Sequence, residues 1–141
     1  FFRYTLDQDD VHLISMEQEI AFLESYAYLQ EKRFGSNLII DISLPNDILR
    51  TNIPPLSLQL LIENAIKHNM ISQKYPLTIS LFHEGDYLIV KNNLNEVEAS
   101  PEGFSIGLSN LAKRYELLDI GEIRVSKTKE YFMVTLPILA E

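Results

Sequence analysis

The stretch IPPLSLQLLIENAIKHN, from Ile53 to Asn69, narrows the possible folds more than any other part of the chain. Pro54 and Pro55 interrupt any regular element and favour the start of a new helix immediately after them. Beyond them Leu58, Leu61, Ile62, Ala65 and Ile66 fall on one helical face, the pattern of a helix that must cover an apolar surface. Glu63, Asn64, Lys67 and His68 occupy the remaining arc, and Asn64, Lys67 and His68 stand at i, i+3 and i+4, close enough to act on one ligand. A carboxylate, a carboxamide, an ammonium and an imidazole are presented together. Periodicity alone is met equally well by a solvated helix face.

The rest of the chain supplies the surface that such a helix needs. A first helix is expected from about Ser15 to Phe34, opened by the capping pattern Ser15-x-x-Gln18 and closed at Gly35 with Lys32 and Arg33 in its last turn. Its stripe of Met16, Ile20, Leu23, Ala27 and Phe34 is widened by Phe22, Tyr26 and Leu29. NLIIDISLP reads as a strand ending at Pro45, and LTISLFHEG with DYLIVKNN as an antiparallel hairpin around Glu84-Gly85-Asp86. Leu94 to Ser105 is acidic and loop-like, helical spacing returns from Leu108 to Leu118, and EIRVSKT and YFMVTLPI are strand-like around a turn at Lys129-Glu130. The order predicts an α+β fold, a mixed sheet with helices on one face, and the two hairpins argue against a doubly wound parallel sheet. FFRYTL, ahead of the acidic DQDD, reads as the tail of an element that begins upstream.

Charge and composition remove several functions. Twelve Lys plus Arg against 20 Asp plus Glu give a net charge of -8 in 141 residues, a field that repels nucleic acid and anionic lipid. A phosphate ligand is still compatible with an acidic chain, because backbone N–H groups at a helix start and a local Lys suffice to bind it. The sequence has no Cys, which excludes thiol nucleophiles, disulfides and thiolate metal sites. No apolar run is long enough to span a bilayer, so contact with membrane is not expected of this segment.

IPPLSLQLLIENAIKHN resembles the N box of the GHKL ATPase superfamily in the form found in LytS-like sensor histidine kinases, where a proline pair and a Leu-rich turn lead into Glu-Asn-Ala-x-Lys-His. The segment ending QEKRFG resembles that family's lead-in to its first catalytic-domain strand, and SIGLSNLAKRYELL, from Ser105 to Leu118, resembles its G2 box. The resemblance implies a Bergerat-type α/β sandwich and an ATP-dependent protein histidine kinase with Mg²⁺ as its ion. It implies Asn64 as the Mg²⁺ ligand, Glu63 as base or organiser of the site, Lys67 near the phosphates and His68 at the pocket edge. It implies Gly107 and the backbone from Leu108 to Asn110 at the phosphates, with Lys113 and Arg114 as phosphate contacts or as charges facing solvent or a partner. Leu94 to Ser105 would be the lid, with Gly103 among the nucleotide contacts. Asn92, in LIVKNNLN, stands where the superfamily's G1 box has the adenine-reading Asp.

Departures from the pattern are equally specific. Leu94 and Ser105 replace glycines of the G1 and G2 boxes, and Leu60 stands where many histidine kinases carry a second Asn. The family's phosphoacceptor motif Pro-His-Phe-x-Phe-Asn is absent, and His12, His68 and His83 lie in other contexts. The resemblance therefore makes residues 1–14 a remnant of a dimerisation helix and linker, and 15–141 the catalytic and ATP-binding domain. The expected function is donation of the ATP γ-phosphoryl group to a His on an upstream dimerisation helix, then to a response regulator in a two-component phosphorelay. The segment by itself is not expected to autophosphorylate, and its setting would be the cytoplasmic side of a membrane-anchored, dimeric bacterial kinase. The alternatives are a degenerate GHKL interaction module that no longer binds nucleotide, and a GHKL kinase acting on Ser of a protein partner.

Overall fold

The computed structural model describes residues 13–95 and 106–139. Strand β1 (Ile14–Ser15) leads directly into helix α1 (Met16–Phe34). The Ser15 hydroxyl accepts from the Gln18 amide at 3.1 Å, and Gly35 closes the helix at φ 64°, the left-handed conformation that glycine adopts without steric cost. β2 (Leu38–Ile42), a short helix α2 (Asn46–Leu49) and β3 (Asn52–Ile53) follow, then α3 (Ser57–His68). The hairpin β4 (Leu77–Glu84) and β5 (Tyr87–Asn93), helix α4 (Ile106–Leu117) and the hairpin β6 (Arg124–Lys127) and β7 (Tyr131–Pro137) complete the order.

The main sheet has five strands in the order β2-β4-β5-β7-β6, parallel only between β2 and β4. Alternation along the strands sends Leu77, Ile79, Leu81, Leu88, Val90, Val134 and Leu136 to one face. There they meet Leu23 of α1, Leu58 and Ile62 of α3, and Leu108, Leu111 and Tyr115 of α4 in one buried cluster. The mixed sheet with helices on one face agrees with the sequence expectation. The strand expected up to Pro45 stops at Ile42, because the chain turns at Pro45 into α2, whose Ile48 is buried in the same core.

A second, two-strand sheet, not foreseen from the sequence, positions the site. β1 pairs antiparallel with β3, with Ile14 opposite Ile53, the Met16 amide donates to the Thr51 carbonyl at 2.7 Å, and the Asn52 amide to the Leu139 carbonyl at 2.8 Å. The start of α1 is thereby held against the residues that precede Pro54, one helical turn before Glu19.

The face assignment is testable by paired substitutions. Ile79 is fully buried on the helix-covered face, whereas Ile39 is 50% exposed on the other. Ile79→Ala is expected to lower the unfolding free energy by about 3 kcal/mol, and Ile39→Thr by less than about 0.5 kcal/mol, as read from urea denaturation midpoints.

Candidate functional site

Helix α3 carries most of the residues singled out in the sequence, and its first turn is built unusually. Leu56, at the N-cap position, lies in the left-handed region at φ 67° and offers no side-chain cap. The cap comes from α1: Glu19 accepts from the Leu56 amide through Oε1 and from the Leu58 amide through Oε2, both at 2.8 Å. Two of the N–H groups that any helix leaves unpaired at its start are thus satisfied by one carboxylate. The Ser57 hydroxyl donates to the Pro54 carbonyl at 2.7 Å, and the Arg114 guanidinium of α4 donates to the Pro55 carbonyl at 2.6 Å. Glu19 is only 1% exposed. Burial pushes its carboxyl above the ordinary range, opposed by the bonds from Leu58 and Leu56 and by the charge of Arg114. The buried Tyr115 hydroxyl, beside Ser57, has no hydrogen-bond partner among the described residues, and burial pushes it up to about 12.

The body of α3 then presents the expected arc. Leu58, Leu61, Ile62 and Ala65 are buried, Ile66 and Asn64 are half-buried, and Glu63, Lys67 and His68 are exposed. The Gln59 amide approaches Glu63 at 3.4 Å, whereas the side chains of Asn64, Lys67 and His68 make no hydrogen bond among the described residues. They are available to a ligand.

At its other end α3 is joined to β5. The buried Asn69 donates to the Ala65 carbonyl at 2.8 Å and accepts from the Asn95 amide at 2.7 Å, and the Met70 amide donates to the Asn95 carbonyl at 2.7 Å. Asn95 donates through Nδ2 to the carbonyls of Pro76 and Tyr75 at 2.8 and 3.2 Å. Asn93 accepts from the Thr78 amide at 2.7 Å and donates to the Pro76 carbonyl at 3.0 Å. Leu94, which stands at a glycine position of the resembled motif, is pinned by its amide to the Glu130 carbonyl at 3.0 Å. Sequence reading missed Asn69, Asn93 and Asn95. The only signal was their clustering at element ends, where Asn side chains bond to nearby backbone.

Asn92 points to the helix-covered face of β5, 4% exposed. Its Nδ2 donates to the Asn93 carbonyl at 2.7 Å, and its carboxamide oxygen accepts nothing among the described residues. The bonds between Asn69, Met70 and Asn95 bring this strand end to the C-terminal half of α3, where Lys67 and His68 lie.

Helix α4 packs against α3. Gly107 is half-buried, Leu108 buried and Asn110 exposed in its first turns. Lys113 and Arg114 are both exposed, and Arg114 donates through one guanidinium nitrogen to the Pro55 carbonyl. His83 sits at the hairpin, with Nδ1 3.4 Å from the Gly85 carbonyl. Gly103, Ser105, His12 and most of the expected lid lie outside the described residues. No cluster of His, Asp and Glu able to hold a metal by itself occurs among the described residues, and no helix among them is long and apolar enough to cross a membrane. A divalent ion at Asn64 would need most of its oxygen ligands from whatever else is bound there.

Comparison with known proteins places this geometry. The histidine kinase family matches residues 1–38. The sensor histidine kinase BtsS of Escherichia coli K12 is 26% identical over 118 residues, covering 81% of this chain and 21% of BtsS. The sensor histidine kinase/phosphatase LytS of Staphylococcus aureus MRSA252 is 31% identical over 74 residues, 52% of this chain and 13% of LytS. The chain thus spans about a fifth or less of these relatives. Among solved structures, the cytoplasmic segment of histidine kinase QseC matches 94% of this chain with a TM-score of 0.63 at 16% identity, covering 80% of that chain. The catalytic domain of histidine kinase ThkA matches 92% of this chain with a TM-score of 0.56 at 20% identity, covering 98% of that domain.

The cap at α3 yields a prediction. A buried carboxyl whose folded pKa lies above its unfolded value binds protons more readily in the folded state. Its contribution is therefore fully present below the unfolded value near 4.5 and is lost as pH rises through the folded value. Glu19→Gln turns an amide NH₂ toward one of the two N–H donors and is expected to lower stability by about 2 kcal/mol. The part of the pH dependence that comes from this carboxyl should disappear with it, as read from urea unfolding at several pH values.

Proposed function

We propose that this chain, a relative of the BtsS and LytS sensor kinases with the fold of a histidine kinase catalytic domain, is the ATP-binding unit of a two-component sensor kinase. The observation that carries the reading is the convergence of Asn92 and the C-terminal half of α3 at one end of the core. There, among the described residues, the Asn92 carboxamide oxygen accepts nothing and the side chains of Asn64, Lys67 and His68 make no hydrogen bond.

The donors fit a magnesium nucleotide. Asn92 accepts from the exocyclic amine of adenine through its carboxamide oxygen. Asn64 supplies one oxygen of the kind that Mg²⁺ prefers, and the shortage of other protein ligands suits an ion held mainly by phosphate oxygens and water. Gly107 and the residues Leu108 to Asn110 form the first turns of α4, a helix start that favours phosphate and where a small residue permits close approach. Lys67 offsets phosphate charge, His68 closes the edge of the site, and Glu63 orients the reacting groups. Mg-ATP supplies the transferable γ-phosphoryl group, and the chain contributes positioning and charge stabilisation rather than covalent chemistry. The acceptor is a His on a dimerisation helix of the parent kinase, with residues 1–14 as the connection to it, and a response regulator receives the group next. The parent is membrane-anchored and dimeric, and this unit lies on its cytoplasmic side.

Two experiments test the reading. In calorimetric titrations the chain should bind Mg-ATP more tightly than ATP with EDTA, and Asn64→Ala should lose that difference while retaining its melting temperature. Absence of binding at millimolar nucleotide would favour an interaction module that has lost nucleotide, the reading to which Asn92, Leu94 and Ser105 point. Replacing Asn92 probes the base. A charge-assisted bond exceeds a neutral one by roughly 1 kcal/mol. The ratio of ATP to GTP affinity should therefore rise up to about fivefold in Asn92→Asp and fall in Asn92→Leu. An unchanged ratio in both would remove Asn92 from the base site.

A further inference from the structure

The two ends of α3 are anchored by different hydrogen bonds among the described residues. The C-terminal end is bonded to the β5 side through Asn69, Met70 and Asn95. The N-terminal end is held at the Pro54–Leu58 turn by Glu19 of α1 and by Arg114 of α4. We propose that Glu19 and Arg114 are positioning residues. By binding the same turn from two helices, they set the placement of the Asn64-bearing helix relative to the Gly107-bearing helix, and so the metal-dependent part of nucleotide affinity.

The argument rests on the ATP-binding reading above and on the geometry of the turn. Leu56 holds a left-handed conformation that its Cβ disfavours, so the turn keeps its shape only while outside groups bind it. Glu19 takes both amides on either side of Ser57, and Arg114 takes the carbonyl immediately before Leu56. Glu19 also lies within the electrostatic reach of Arg114. Displacing α1 would leave the buried Glu19 carboxyl without its amide partners, and displacing α4 would break the Arg114–Pro55 bond, so both helices are tied to this one turn. The adenine acceptor Asn92 lies on β5, tied to the opposite end of α3, and does not depend on this turn. On the ATP-binding reading Mg²⁺ would be held by Asn64 on α3 with phosphates near the start of α4, so its affinity would depend on the α3–α4 placement. Base recognition would not.

The test compares Glu19→Gln, Arg114→Met and the double variant with the wild-type chain, at a temperature where each is folded by circular dichroism. Mg-ATP affinity should fall at least fivefold in each single variant, while affinity for ATP in EDTA changes less than twofold. The double variant should be no weaker than the more affected single one, because both losses act through one turn. Tyr115→Phe removes a hydroxyl that has no hydrogen-bond partner among the described residues and should leave both affinities within twofold. Amide hydrogen exchange without nucleotide supplies a second readout, in which Glu19→Gln should speed exchange in α4 as well as in the first turn of α3. Variants that melt earlier yet keep both affinities, or lose both equally, or speed exchange only in α3, would reduce Glu19 and Arg114 to local caps and overturn the proposal. A wild-type chain that binds no nucleotide would overturn the ATP-binding reading and this role in it, while faster exchange in α4 would still report the mechanical link.

Discussion

A carboxylate removed from water at the head of a helix is the constraint around which this structure is arranged. Burying Glu19 is costly, and the cost is offset only because the side chain accepts from the amides of Leu56 and Leu58 in a region of favourable helix potential. Those amides are placed by Pro54 and Pro55, which break the chain after β3, and by the left-handed turn at Leu56. Glu19 reaches them because β1 pairs with β3 one turn earlier. The small sheet, the proline pair, the strained leucine and the buried acid form one assembly, and the direction in which α3 leaves it determines where Asn64, Lys67 and His68 stand.

The other end of the site uses neutral chemistry. Glycines give a backbone freedom to approach a ligand closely, but they leave its polar groups to be satisfied by other means. Here Leu94 takes a glycine position of the resembled motif, and Asn69, Asn93 and Asn95 bond the exposed carbonyls and amides of residues 69–78 and 95. The consequence is a strand end whose backbone is already held in place, which would lower the ordering cost of binding a ligand there. Asn92 fits this environment, since an amide is cheaper to bury at 4% exposure than a carboxylate in a chain of net charge -8.

Much of the architecture was legible because it is written in local patterns. The apolar face of α3, the caps of α1 at Ser15 and Gly35, the two hairpins and their turns all follow from spacing and turn chemistry within a few residues. The mixed sheet followed from their order. What escaped is non-local. Glu19 looks like any acidic residue in the first turns of a helix, and its partners lie 37 and 39 residues away. Leu56 carries no sequence mark of a left-handed turn, because tertiary contacts rather than residue type impose it. Arg114 reads as a surface charge and is one, but its bond to the Pro55 carbonyl is visible only once α4 is seen against that turn. The strip from Glu63 to His68 was legible as an arc of polar groups, and only the structure brings it to the strand end that carries Asn92.

The central claim, that Asn92 and Asn64 serve one magnesium nucleotide from β5 and α3, is tested most directly by following their side-chain amide resonances in a ¹H–¹⁵N titration of the isotopically labelled chain. The account predicts that nucleotide in EDTA shifts the Asn92 amide and leaves Asn64 nearly unmoved, and that subsequent Mg²⁺ shifts Asn64 saturably. Both amides unmoved at millimolar Mg-nucleotide, or saturable shifts confined to residues outside this end of the fold, would contradict it.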